Sequence, residues 1–288
     1  GKKGRIKMKK ILYFLMAMLV CLFSVSPMIH AGTIYLSDAS AENLSTVDDS
    51  TGVGTSVGLF GSNLNMGGLA YDSNTSTLYG VAATDNTLYT INESTGAVTS
   101  IGSLGSGFDT NMGLAFDINT NTLYLSGSAG SQATDNLYTV STSTGVATAV
   151  NSLTTKLNAL AFDPNTSTLF GFTRFGDKLY TVNTTNAVTT EVGSVGFNAT
   201  GMGAAFDAMT STLYLVEDST DLFYTVNTST GLATAVGSGL GFTSPQGLAF
   251  ASTAVPEPTT VALLGIGLAG LAGAEVRRRR KKKAVDKS

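Results

Sequence analysis

The sequence predicts an all-β fold, a five-bladed β-propeller of four-stranded antiparallel blades. Three observations carry that expectation. A pattern of four short segments recurs about every 45 residues between Thr33 and Phe250. The segments are rich in Leu, Tyr, Phe, Val and Thr, as strands are, and Gly, Asn, Asp, Ser and Thr fill the turns between them. The incomplete units at the two ends of the array add up to one whole unit.

The pattern is clearest from Gly68 to Gly102, GLAYDSNTSTLYGVAATDNTLYTINESTGAVTSIG. The aromatic of its first segment recurs at Tyr71, Phe116, Phe162, Phe206 and Phe250, at spacings of 45, 46, 44 and 44 residues. The second segment recurs at Tyr35, Tyr79, Tyr124, Phe170 and Tyr214, and the third ends at Val47, Ile91, Val140, Val182 and Val226. A fourth, ending SVG, SIG, TAV, EVG and AVG, closes each unit. Four short strands in a repeat of this length make a propeller blade. Leu69, Ala70 and Tyr71 are consecutive apolar residues, so this strand should be covered on both sides, as between two neighbouring blades. Its small residues suit the innermost strand, where blades converge. No helical period runs through the body.

In chain order, residues 1–31 read as upstream residues plus a signal peptide. Met8-Lys9-Lys10 is a basic start, and Ile11 to Val25 is the apolar run that follows. Ile29-His30-Ala31 places a small residue before a cut, so cleavage is expected after Ala31. Val20 does not suit a lipobox at Cys21, and an uncleaved anchor is the alternative.

Residues 32–254 are the expected propeller. The chain enters with the second, third and fourth strands of a unit, passes through four complete units, and leaves at Gly247–Phe250 with a first strand alone. Pairing that last strand with the first ones closes a ring and removes exposed edges. An open β-solenoid would not need complementary ends. Asp-Pro-Asn-Thr at 163–166 is a turn signal, and Ser-Thr-Gly at 94–96, 143–145 and 229–231 puts Gly where a tight hairpin needs positive φ.

Residues 255–288 form a separate tail. Val255, Pro256, Glu257 and Pro258 end the array, since Pro cannot continue a ladder. Thr260 to Ala274 is apolar and Gly-rich, an expected transmembrane helix at the short end for a span. Arg277, Arg278, Arg279, Arg280, Lys281, Lys282 and Lys283 follow as a basic stop cluster, which the positive-inside rule keeps cytoplasmic. This order of motif, apolar stretch and basic end resembles the PEP-CTERM sorting signal of bacterial envelope and exopolysaccharide-producing species. The resemblance implies cleavage near Pro256-Glu257-Pro258 by an exosortase, a membrane-embedded cysteine peptidase of which this chain would be a substrate. It implies export, transient anchoring in the inner membrane, and a final place at the cell surface or in the extracellular matrix. A permanent single-pass anchor is the alternative. The row Gly265, Ala269 and Gly273 could pack helices, but Gly-rich composition alone produces such rows.

Charge and composition narrow the partners. Between residues 32 and 255 only Lys156, Arg174 and Lys178 face 17 acids, a formal charge of −14. Such a body repels phosphate backbones, so nucleic acid is not an expected partner. The only Cys and the only His, Cys21 and His30, precede the expected cleavage point, and there is no Trp. A disulfide framework, thiolate or imidazole metal sites, and a His-dependent triad are therefore excluded from the body.

Most acids sit at equivalent places in the repeat. Asp72, Asp117, Asp163 and Asp207 follow the first strand and should bond the next turn's amides, and Asp85, Asp135, Asp177 and Asp221 precede the third. Asp38, Glu42, Asp48, Asp49, Glu93, Asp109, Glu191, Glu217 and Asp218 remain. Two of these could in principle serve a glycosidase, but the short blades show no elaborated loop to build one. Calcium could use the turn oxygens, though no segment matches D-x-[DN]-x-[DN]-G. No catalytic, cofactor or metal residue is assigned. The expectation is a monomeric, non-enzymatic binding or structural module for an extracellular polysaccharide or an envelope protein, with a carbohydrate-active enzyme as the alternative.

Overall fold

The structure, a computed structural model, describes residues 32–252 apart from 62, 106, 109–111, 129–134, 174–175 and 200–201. Those residues form five four-stranded antiparallel sheets, each one blade. Blade I joins β1 (Gly32–Asp38), β2 (Asn43–Val47) and β3 (Gly54–Leu59) to β20 (Pro245–Ser252). Blade II is β4 (Met66–Asp72), β5 (Thr77–Ala82), β6 (Thr87–Ile91) and β7 (Val98–Ser103). Blade III is β8 (Gly113–Asp117), β9 (Thr122–Gly127), β10 (Asn136–Val140) and β11 (Ala147–Ser152). Blade IV is β12 (Leu157–Asp163), β13 (Thr168–Thr173), β14 (Gly176–Val182) and β15 (Thr189–Ala199). Blade V is β16 (Met202–Asp207), β17 (Thr212–Glu217), β18 (Leu222–Val226) and β19 (Ala233–Val236).

The ring closes as the two partial units predict. β20 pairs with β1 in a register that sets Gly32 opposite Ser252, Ile34 opposite Phe250 and Leu36 opposite Leu248. The inner strands β4, β8, β12, β16 and β20 stand side by side around the axis and are buried almost throughout. The outermost strands, rich in Thr and Ser, are largely exposed.

Because each blade is apolar on both flanks, the core is divided among the blade interfaces rather than gathered in one mass. It forms five clusters, each drawing on two neighbouring blades. An aromatic of one blade's second strand lies against the inner-strand aromatic of the next. Ring centroids are 6.2 Å apart for Tyr79 and Phe116, 6.3 Å for Phe170 and Phe206, and 6.4 Å for Tyr214 and Phe250. Such pairs add ~0.5–1.5 kcal/mol each to the area they bury.

At the periphery the blades meet backbone to backbone. Gly102 on β7 packs so closely on the blade III hairpin that a Cβ there would run into Thr144 O. Gly145 in that hairpin has φ 80, and a Cβ on it would run into Gly102 O. Gly58 and Gly96, Gly193 and Gly231, and Gly237 and Gly52 repeat the arrangement. At the remaining interface Asn151 and Ala187 hold these places, and Ala187 keeps φ 60 while buried.

Candidate functional site

The strands present two ends of the ring, and these differ. All turns from first to second strand, and all hairpins from third to fourth strand, emerge at one end, the hairpin face. Loops from second to third strand and connections between blades emerge at the other, the loop face. On the hairpin face each first turn has 4 residues and each hairpin 6. On the loop face the loops within blades run from 2 to 8 residues and the connections between blades from 2 to 9.

The hairpin face is built from repeated hydrogen-bond grammar. Asp72 Oδ1 accepts from Asn74 N at 2.9 Å, and Oδ2 accepts from the Thr75 hydroxyl at 2.6 Å. Asp117, Asp163 and Asp207 hold Asn119, Asn165 and Met209 through the same amide, and Thr120, Thr166 and Thr210 through the same hydroxyl. The residue before each second strand, Ser76, Asn121, Ser167 or Ser211, is then driven to φ between 52 and 57. In the hairpins Asn92 Oδ1 accepts from Ser94 N and Thr95 N, as Asn183 and Asn227 do for their own hairpins. Asp48 makes four such bonds, and they hold its carboxyl down at about 2.

The second set of repeated acids works differently from the first. Asp85 bonds Thr87 N and the Tyr89 hydroxyl in its own blade, whereas Asp135 and Asp221 reach out of their own turn to the chain that links one blade to the next. Asp135 accepts from Leu157 N and Asp221 from Gly241 N and Phe242 N, whereas Asp177, which lies within β14, accepts from the Ser194 hydroxyl on β15 of its own blade. Asp38 takes Thr243 N at 3.2 Å, and Glu42 takes Asn63 N at 2.9 Å. These bonds anchor loops that share neither length nor sequence.

Asp38, Glu217, Asp218 and Asp221 gather on this loop face between blades V and I. Burial raises the Asp218 carboxyl above its ordinary value, and the charge of Glu217 adds to that. Glu217 is itself buried, accepting from the Ser219 hydroxyl and Thr220 N. Among the described residues no group of three or more His, Cys, Asp and Glu side chains could hold a metal ion.

The axis offers little room. At the hairpin face a cavity of about 50 Å³ is lined by a Leu-Ala-aromatic or Ala-Ala-Phe triplet from each inner strand, including Tyr71 and Phe250. At the loop face a second cavity of about 10 Å³ is lined by Asn158, Gln246 and glycine backbone. Buried Asn158 Oδ1 has no protein partner there, and the space suits one water molecule. Small-molecule sites run to roughly 300–1,000 Å³, so neither cavity takes a sugar ring. A groove of about 420 Å³ on blade IV, lined by Thr168, Thr181, Asn183, Asn186, Val188 and neighbours, is large enough. Blade II carries Thr77, Thr90 and Asn92 at the equivalent positions, so that chemistry belongs to the repeat.

One polar contact departs from the repeat and escaped the sequence analysis as a site. The Tyr35 hydroxyl donates to Glu93 Oε2 at 2.8 Å across the blade I–II interface, beside Tyr71. Burial and then the carboxylate push the Tyr35 phenol well up, which keeps it protonated. The signal was present: Glu93 stands where other hairpins have Asp49, Thr142, Thr184 and Thr228.

The sorting residues Val255, Pro256, Glu257 and Pro258, the basic run Arg277 to Lys283, the apolar stretch before it and the cleavage point at Ala31 lie outside the described residues, as do Asp109 and Arg174.

Fold and tail together define a repeat propeller carrying a sorting signal. Residues 254–280 match the PEP-CTERM protein-sorting motif, which means export through an exosortase-type system with transient membrane anchoring. Residues 62–244 match the family described as a repeat of unknown function (DUF6923), and the chain belongs to that family. No curated protein matches it. A chain in the crystal structure of a nidogen/laminin complex is similar, with TM-score 0.55 at 11% identity over 77% of this chain and 98% of its own. So is a structural genomics protein of unknown function from Bacteroides thetaiotaomicron VPI-5482, with TM-score 0.53 at 16% identity over 75% of this chain and 61% of its own. At these identities the likeness concerns the fold alone.

Proposed function

We propose that this protein is a non-enzymatic binding module of the cell envelope or extracellular matrix, taking an extracellular polysaccharide or another envelope protein on its loop face. The observation that carries the reading is the contrast in segment length between the two ends. Every unit needs the turns that every unit shares, whereas segments of 2 to 9 residues on one face answer to no common structural demand. The loop-face acids support a binding role over a catalytic one, because Asp38, Glu217 and Asp221 are committed to loop amides and hydroxyls.

The test is binding of purified residues 32–254 to a panel of glycans and envelope fractions. Replacing the β1–β2 and β17–β18 loops by the β5–β6 sequence should abolish binding while unfolding stays cooperative, at a midpoint lowered by loss of the Glu42 and Asp221 bonds to the neighbouring connections. Binding that survives loop replacement but is lost on changing the hairpins would overturn the assignment to this face.

The second reading, a carbohydrate-active enzyme, is favoured by Asp218, a raised carboxyl beside a buried carboxylate. Chromogenic glycosides separate the two. Turnover that disappears in Asp218→Asn establishes the enzyme, and binding without turnover excludes it.

A further inference from the structure

The inner position and direction of β20 fix where the sorting tail leaves the body. Ser252 ends β20 opposite Gly32, at the hairpin face and next to the axis. Only residues 253–254 separate it from Val255-Pro256-Glu257-Pro258, and the apolar stretch begins at Thr260. Eight residues, at ~3.3–3.6 Å each, reach no farther than ~29 Å.

That length decides orientation. A path from the axial exit to the loop face must pass β1, β2 and β3 and clear the blade's outer edge, about four spacings of ~4.8 Å, and then follow β3, 6 residues long, down the rim, ~20 Å for each leg. The required ~40 Å exceeds what the linker can supply. We infer that while the tail is in the membrane the hairpin face is turned to the bilayer, and the face of unlike loops is presented outward to its partner. The orientation stands on geometry alone; only the word partner rests on the proposed function.

Charge keeps the near face from adsorbing. The described residues of the hairpin face include Asp48, Asp49, Asp72, Glu93, Asp117, Asp163 and Asp207, and no Lys or Arg. Lys156 and Lys178 lie toward the loop face, Lys178 paired with Glu191 at 2.9 Å. Anionic headgroups therefore repel the near face within about a Debye length, which disfavours a body lying on the lipid.

The body contains no cysteine, which makes the test direct. The full chain, with Cys21→Ser, carries one new cysteine at an exposed hairpin-face position (Ser94→Cys or Ser229→Cys) or an exposed loop-face position (Ser40→Cys or Thr84→Cys). Each is labelled with a fluorophore and reconstituted in phosphatidylcholine–phosphatidylglycerol vesicles bearing a headgroup quencher. Quenching several-fold stronger at Ser94→Cys and Ser229→Cys than at Ser40→Cys and Thr84→Cys is expected. Equal quenching at all four, or the reverse order, overturns the inference. Inserting about 20 Gly and Ser residues after Ser252, able to extend past ~60 Å, should erase the difference. A difference that persists shows that adsorption, not linker length, sets the orientation, and also overturns it. No arm uses a ligand, so failure here leaves the loop-replacement test of the binding reading intact.

Discussion

Both ends of this propeller are made by the same twenty strands, yet one end repeats itself and the other does not. At the hairpin face a residue type recurs with nearly every recurrence of a backbone demand: Asp to hold a turn amide, Gly where two blades touch at all interfaces but one, and Asn, Asp or, at Ser141, Ser to start a hairpin. At the loop face the buried partners are similar, since Phe60, Leu104, Leu153 and Leu240 each follow an outer strand and enter the core. What lies between those anchors is free to differ. Repetition inside one chain thus separates residues the fold requires from residues it only tolerates.

The sharpest way to break the comparison is at the glycine contacts. Gly145→Ala must adopt φ 80 with a Cβ against Gly102 O, so it should lose roughly 2–4 kcal/mol in denaturant unfolding. Ala187→Gly, at the interface already adapted to a side chain, should change stability by less than ~1 kcal/mol. Equal effects at the two sites would mean that the close approach is incidental.

The turn acids test the grammar itself. Asp72→Ala, Asp117→Ala and Asp163→Ala each remove a buried carboxylate that accepts from a turn amide and a hydroxyl, at a cost of ~1–3 kcal/mol for the two bonds. The three values should agree closely by thermal or denaturant unfolding. Exposed loop-face changes such as Ser40→Ala should stay within ~0.5 kcal/mol. One turn acid costing far more than its copies would mark a unique role hidden in the repeat.

Much of this was legible in advance. The repeat spacing gave the blade count, and the complementary partial units gave the closing pair, because strand pairing is local and periodic. The Asp72-type turns were legible for the same reason. Asp135, Asp177 and Asp221 were less so: position in the repeat marks them as equivalent, but Asp135 and Asp221 bond at inter-blade connections that have no common sequence, and Asp177 bonds Ser194 on its own blade's outer strand. The Tyr35–Glu93 bond joins residues 58 apart, and no spacing rule within one unit could reveal it.

Asp218 offers a smaller, pH-dependent contrast. Burial first, then Glu217 and the other nearby acids, raise its carboxyl, while Ser244 opposes the shift. A group whose folded value exceeds its unfolded value stabilises the fold while protonated, and that contribution is lost as pH rises through the folded value. Asp218→Asn should therefore raise the unfolding midpoint at pH 7 and leave it nearly unchanged near pH 3. An increase of the same size at both pH values would show that packing, not charge, is responsible.

The smallest expected effect concerns Ser167, which bears a side chain at φ 53 because the Asp163 turn leaves it no other conformation. In the left-handed region Ser is strained, and Gly or Asn is not. Gly gains by relief of that strain and loses by greater freedom in the unfolded chain, so Ser167→Gly should raise stability by no more than ~1 kcal/mol. Asn121 occupies the same place in blade III at φ 57, so Ser167→Asn should match or exceed the Gly variant, while Asn121→Ser should lose about as much. A gain in blade IV without the mirrored loss in blade III would mean that the turns are equivalent in shape but not in energy, and the grammar of the hairpin face would then hold for backbone geometry alone.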